Sequence, residues 1–88
     1  MDTTNPVILN VSTPQYQRVV IEASNGIRYF CDLSALSKVY CFPKTEKDWS
    51  KVSPDSYGLG LVWESRFEVH VSQIVALADK KETIQKSA

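Results

Sequence analysis

Arg18-Val19-Val20-Ile21-Glu22-Ala23-Ser24-Asn25-Gly26-Ile27-Arg28-Tyr29-Phe30-Cys31-Asp32 is the stretch that decides the fold. Two runs in it alternate as strands do, and the Asn-Gly dipeptide between them is the strongest short-range signal for a β-hairpin. Successive strand side chains point to opposite faces. With Arg18 and Glu22 toward water, Val19, Ile21 and Ala23 take the inner face, and Ile27, Tyr29 and Cys31 continue it across the turn. Phe30 falls beside Val20 on the wetter face, where a helix or a partner is expected to cover it.

Val7-Ile8-Leu9-Asn10-Val11 supplies a preceding strand with Val7, Leu9 and Val11 on one face. Thr13-Pro14-Gln15 ends it, because proline cannot donate to a ladder. Leu59 to Trp63 and Phe67 to Val71 form a second alternating pair around Glu64-Ser65-Arg66. The expected fold is therefore α+β: a small antiparallel sheet of about five strands, a three-strand meander plus a C-terminal hairpin, with short helices. Asp32 caps a helical turn over Leu33 to Leu36. Thr45, with Asp48 three residues on, imitates a capping box and starts a short helix anchored by Trp49. Ser72 is expected to cap a last helix, whose apolar stripe of Ile74, Val75, Leu77 and Ala78 closes the core. Beyond Lys80 that helix runs on exposed or frays. Gly58 and Gly60 read as a bulge or a close backbone approach.

With 88 residues and 43% hydrophobic content, the chain has room for one core, burying roughly 60–65% of its unfolded surface. The expected layout is one domain over 1–88, frayed at 1–6 and 80–88. Ten cationic and ten anionic side chains balance, with a local positive excess between Lys38 and Lys51, well short of the basic stripe of a dedicated phosphate binder. The N-terminus lacks the positive leader and apolar core of a secretory signal, so a cytoplasmic location is expected. Cys31 and Cys41 read as buried thiols, and with His70 they lack the paired spacing of a zinc site.

No catalytic constellation emerges. His70 is the single histidine, and its strand neighbours Glu68 and Ser72 project in parallel and do not converge as a triad requires. The carboxylates of Asp32, Asp48, Asp55, Glu64 and Glu68 repeat no ligand pattern, and Gly58-Leu59-Gly60 lacks the third glycine and following helix of a phosphate loop. No metal, cofactor or enzymatic role is expected.

The order of motifs resembles a small bacterial family of unknown function. Its carriers here are the Asn25-Gly26 turn, Arg28-Tyr29-Phe30, Asp32-Leu33-Ser34-Ala35-Leu36, Trp49 in a polar segment, and Leu61-Val62-Trp63 before a last strand and helix. Together they span residues 7 to 79. The resemblance implies a compact α+β domain that stands alone or precedes a helix-turn-helix in regulators, often beside toxin-like partners. Nothing after Asp79 encodes a helix-turn-helix. Cys31 between the aromatic and Asp32, the segment from Tyr40 to Ser56, and Glu64-Ser65-Arg66 depart from the family pattern.

The reading that follows is a non-enzymatic protein-binding module, antitoxin-like or inhibitor-like, that neutralises or regulates another protein. Its expected contact residues are Phe30, Tyr40, Phe42 and Tyr57, with Lys38 and Lys44 beside them, since exposed aromatics dominate interface energetics. An extended segment added at an open sheet edge is one route. Alanine at Tyr40 or Phe42 is expected to weaken the complex without lowering the melting temperature. Alternatives are a phage or mobile-element inhibitor of a host nucleic-acid-handling complex and a small nucleic-acid-binding domain using Arg18, Arg28 and the lysines. A homodimer through the aromatic face stays open.

Overall fold

The computed structural model describes residues 6–63 and 67–84. The expected hairpin is its centre: β2 (Arg18–Ala23) and β3 (Ile27–Asp32) pair antiparallel, with Ile21 opposite Tyr29 and Glu22 opposite Arg28. The turn is a three-residue loop. Gly26 N–H donates to the Ala23 carbonyl at 3.0 Å, and Gly26 alone in the loop takes a positive φ, +81°. The Asn25 side chain straps the loop, accepting from Ile27 N–H at 3.1 Å and donating to the Tyr29 hydroxyl at 2.9 Å.

β1 (Ile8–Ser12) joins the other side of β2. Its phase differs from the sequence expectation. A bulge between Ile8 and Asn10 sends Ile8 into the core and leaves Leu9 65% exposed, with Val11 back on the inner side. One unpaired residue reverses which side chains face inward.

The second sheet holds β4 (Ser53–Pro54), β5 (Gly60–Val62) and β6 (Glu68–His70), and Leu61 faces Val69 in the expected hairpin. Its connection, 64–66, lies outside the described residues. The glycines mark close backbone approaches: a Cβ at Gly60 would lie 2.7 Å from the Val69 carbonyl oxygen, and one at Gly58 would lie 2.8 Å from that of Ile8. A short helix, α1 (Glu46–Trp49), begins at Thr45, whose Oγ1 accepts from Asp48 N–H at 3.1 Å. The aspartate cap also holds: Asp32 Oδ1 accepts from Ser34 N–H at 3.0 Å, opening a 3-10 turn over Ser34–Lys38.

The C-terminal region departs most from expectation. The helix α2 (Val71–Ala76) is a turn and a half, capped by the His70 side chain in place of Ser72. The chain then forms β7 (Ala78–Thr83) along the free edge of β3, so residues 80–83 are paired strand and do not fray as the sequence reading expected. Lys80 lies over the Phe30 ring at 5.1 Å. A cation on a neighbouring strand, rather than a helix, thus lies over this outer-face aromatic. Arg28 fastens the three strands, 2.7 Å from the Glu22 carboxylate on β2 and 3.0 Å from that of Glu82 on β7. The result is a four-stranded sheet, β1-β2-β3-β7, packed with the three-stranded one around Val19, Ile21, Cys31, Leu33, Leu61 and Ile74.

Candidate functional site

Three segments meet beside the core and leave a groove of about 210 Å³ between them. The first is the break after β1. Pro14 stops the strand, and Gln17 takes a left-handed φ of +65°, the one such non-glycine among the described residues. A side chain is disfavoured there by about 1–2 kcal/mol, so the conformation needs support. Leu33 N–H supplies it by donating to the Gln17 carbonyl at 2.8 Å. The second segment is the 3-10 turn, which brings Ser37 to the rim. The third is the 40–44 run, in which Tyr40, Cys41, Phe42 and Lys44 line the groove opposite Tyr16 and Gln17. The Tyr16 hydroxyl donates to the Pro43 carbonyl at 2.7 Å and ties the first segment to the third.

An aromatic cluster underlies the groove. Trp49 and Trp63 have ring centres 4.8 Å apart, Phe42 meets Trp49 edge-on at 5.1 Å, and Tyr40 stacks on Phe67 at 5.3 Å. Each buried indole finds a carbonyl, Trp63 donating to Trp49 at 3.0 Å and Trp49 to Arg18 at 3.1 Å. Phe42 is therefore a core residue, 6% exposed. That corrects the expectation that it stands free for a partner and that Phe42→Ala would spare stability. Its neighbours Tyr40 and Lys44 remain at the surface, half-buried and exposed.

Of the six residues singled out from the sequence, Tyr40, Phe42 and Lys44 thus converge on one groove, and Lys38 ends the 3-10 turn next to Ser37. Phe30 and Tyr57 lie elsewhere. Phe30 sits on the outer face of the four-stranded sheet under Lys80. Tyr57, 80% exposed, rides a turn built by Asp55, whose Oδ1 accepts from Tyr57 and Leu59 N–H, both at 2.9 Å. The Gly58 carbonyl in that turn accepts from Ile8 N–H at 2.7 Å and so occupies part of the β1 edge. The β7 edge carries Lys80 and Lys81, a pattern that discourages strand addition. The edges of the four-stranded sheet are therefore poorer docking routes than the groove. Tyr16, Gln17 and Ser37 escaped the sequence reading, and only the proline at 14 hinted that the chain turns there.

No family model, curated protein or solved structure matches this chain. The family resemblance rests on its short motifs alone, and the chemistry must be read from the side chains.

Lys38 and Lys44 form no ion pair with a carboxylate among the described residues. Lys51, by contrast, lies 3.3 Å from Asp48. The two cysteines have opposite environments. Cys31 is fully buried, and desolvation, with Asp79 nearby, pushes its thiol up to about 12. Cys41 is exposed on the groove wall, which corrects the expectation of two buried thiols. Among the described residues no three His, Cys, Asp or Glu side chains gather to hold a metal ion. His70 is exposed and engaged locally, its Nδ1 accepting from Ser72 N–H at 3.1 Å. Nearby, Glu68 and Asp55 share a hydrogen bond that raises the Glu68 carboxyl and lowers that of Asp55. Among the described residues no helix is long and apolar enough to cross a membrane.

Proposed function

We propose that the chain is a cytoplasmic, non-enzymatic protein-binding module that neutralises or regulates its partner, in the manner of an antitoxin or an inhibitor. The observation that carries this reading is the groove between Tyr16, Tyr40 and Lys44. It is a concave surface with aromatic walls, held by the Tyr16–Pro43 hydrogen bond and the Leu33–Gln17 bond, and carrying one cation, Lys44, in its lining. Rigid aromatic walls bind with little loss of conformational freedom. The resemblance to a family often found beside toxin-like partners points the same way, and inhibition of a nucleic-acid-handling complex differs from it only in the target.

Cys41 makes the reading testable, because it is the exposed thiol of the pair and lines the groove. Tagged protein should capture a stoichiometric protein partner from its own cells. The same protein, blocked at Cys41 with a bulky maleimide, should lose that partner while keeping its melting temperature. Recovery of the chain alone as monomer or homodimer, or capture unaffected by the block, would refute the proposal.

A further inference from the structure

We infer that the occupant of this groove is an acidic peptide segment carrying one bulky apolar side chain. The inference rests on the protein-binding reading above and names the chemistry of the partner. Size comes first. A groove of about 210 Å³ is smaller than the roughly 300–1,000 Å³ of sites that enclose small molecules. It takes a side chain, not a cofactor.

The walls define which side chain. Tyr16 and Tyr40 both present rings whose hydroxyls are already committed, to the Pro43 carbonyl at 2.7 Å and to Gln73 Oε1 at 3.0 Å. With their donors used within the fold, these walls offer ring surface to an incoming group. Phe42 adds an apolar base backed by Trp49 and Trp63. An aromatic or leucine-like side chain gains most from such a lining, through apolar burial and edge or face contacts with the rings.

The rim defines what flanks it. Lys44 lines the groove, Lys38 follows the lining residue Ser37 in the chain, and neither has a carboxylate partner among the described residues. The nearest acid along the chain is Asp32 for Lys38, engaged by the Ser34 amide and Arg18, and Glu46 for Lys44, while Asp48 is taken by Lys51 at 3.3 Å. A cation in the lining of an apolar slot, with a second one residue beyond the lining Ser37, neither paired among the described residues, complements carboxylates next to an apolar anchor. Such rim charges steer encounter and select the partner. Two cations on a chain of zero net charge fall short of the continuous basic track that single-stranded nucleic acid requires, which favours the peptide.

Selection of random displayed peptides on the full-length protein tests this without a known partner. Enrichment of sequences with Asp or Glu around a single Trp, Phe or Leu is expected. A synthetic peptide from that pool should bind about tenfold more weakly to a Lys38→Glu, Lys44→Glu double variant and should weaken further as salt rises. Both lysines are exposed, so the double variant should keep its melting temperature. Enrichment of neutral or basic sequences, no enrichment, or binding indifferent to the double variant would overturn the inference. So would a single-stranded oligonucleotide that binds in a lysine-dependent way where the peptides do not. A cellular partner lost on Cys41 blockage yet retained by the double variant overturns the acidic-segment inference and leaves the binding module standing. Absence of any partner removes both.

Discussion

Gly58→Ala should be among the most damaging single-atom additions to this protein, and the structure says by how much. Gly58 holds φ at +72°, and an added Cβ would stand 2.8 Å from the Ile8 carbonyl oxygen and 3.1 Å from the Ile8 nitrogen. Those are backbone atoms of β1 and cannot swing aside. The left-handed backbone costs an alanine about 1–2 kcal/mol. Relief of the contact pulls the turn off β1, giving up the 2.7 Å bond from Ile8 N–H to the Gly58 carbonyl, a further loss of about 0.5–1.5 kcal/mol. The total, roughly 1.5–3.5 kcal/mol, corresponds to a fall in melting temperature of about 6–28 °C for a domain of this length. Gly26→Ala is the matched control. Its φ is +81° and nothing lies within 4 Å of the new Cβ, so only the backbone term of about 1–2 kcal/mol applies. Thermal and urea unfolding of the two variants, followed by circular dichroism, gives the comparison. Equal losses would refute the claim that the 55–59 turn is seated on β1.

Trp63→Phe should cost about 0.5–1.5 kcal/mol beyond its lost volume, because the Trp49 carbonyl loses its 3.0 Å indole donor and keeps only Val52 N–H at 3.3 Å; urea unfolding checks this, and Ile21→Ala should cost about 2–5 kcal/mol. Ellman's reagent should titrate Cys41 at once and Cys31 only on unfolding; two fast thiols would contradict the burial of Cys31. The raised thiol of Cys31 also sets an alkaline trend. An unfolded thiol ionises near ~8.5 while the folded one stays protonated up to about 12. Stability should therefore fall with rising pH across that window, by up to about 1.4 kcal/mol per pH unit, and Cys31→Ala should remove this component from a melting series. On the acid side, Glu22 is held low by its hydrogen bond to Arg28, and Asp32 by the Ser34 amide. Their stabilisation is present above the ordinary carboxylate range and is lost as pH falls through the lowered values. Glu68, raised by Asp55, runs the other way: its contribution is present below its unfolded pKa and disappears as pH rises through the folded one. Glu68→Gln should accordingly remove this component from the melting-temperature profile and alter the acid limb only through Asp55, which the same contact holds low.

The central hairpin and the caps at Asp32 and Thr45 were legible in the sequence, because each depends on residues only a few positions apart; the glycines at 58 and 60 signalled close approaches, but not that Ile8 and Val69 are what they approach. A period of two and an Asn-Gly turn specify β2 and β3 whatever surrounds them, and a side-chain oxygen reaches its own helix start locally. Tertiary structure alone decided the rest. Leu9 and Ile8 are equally apolar, and only the β1–β2 bulge chooses which is buried. Asp79-Lys80-Lys81-Glu82 has no strand preference of its own and becomes β7 because β3 offers an open edge, with Arg28 and Phe30 placed to receive Glu82 and Lys80. Tyr40 and Phe42 share one alternating face in sequence, yet one reaches the surface while the other fills the space against Trp49 and Trp63. The candidate groove belongs to this second kind. Tyr16 and Lys44 are far apart along the chain, and no local pattern could show that they line one groove, whose two sides the Tyr16–Pro43 bond holds together.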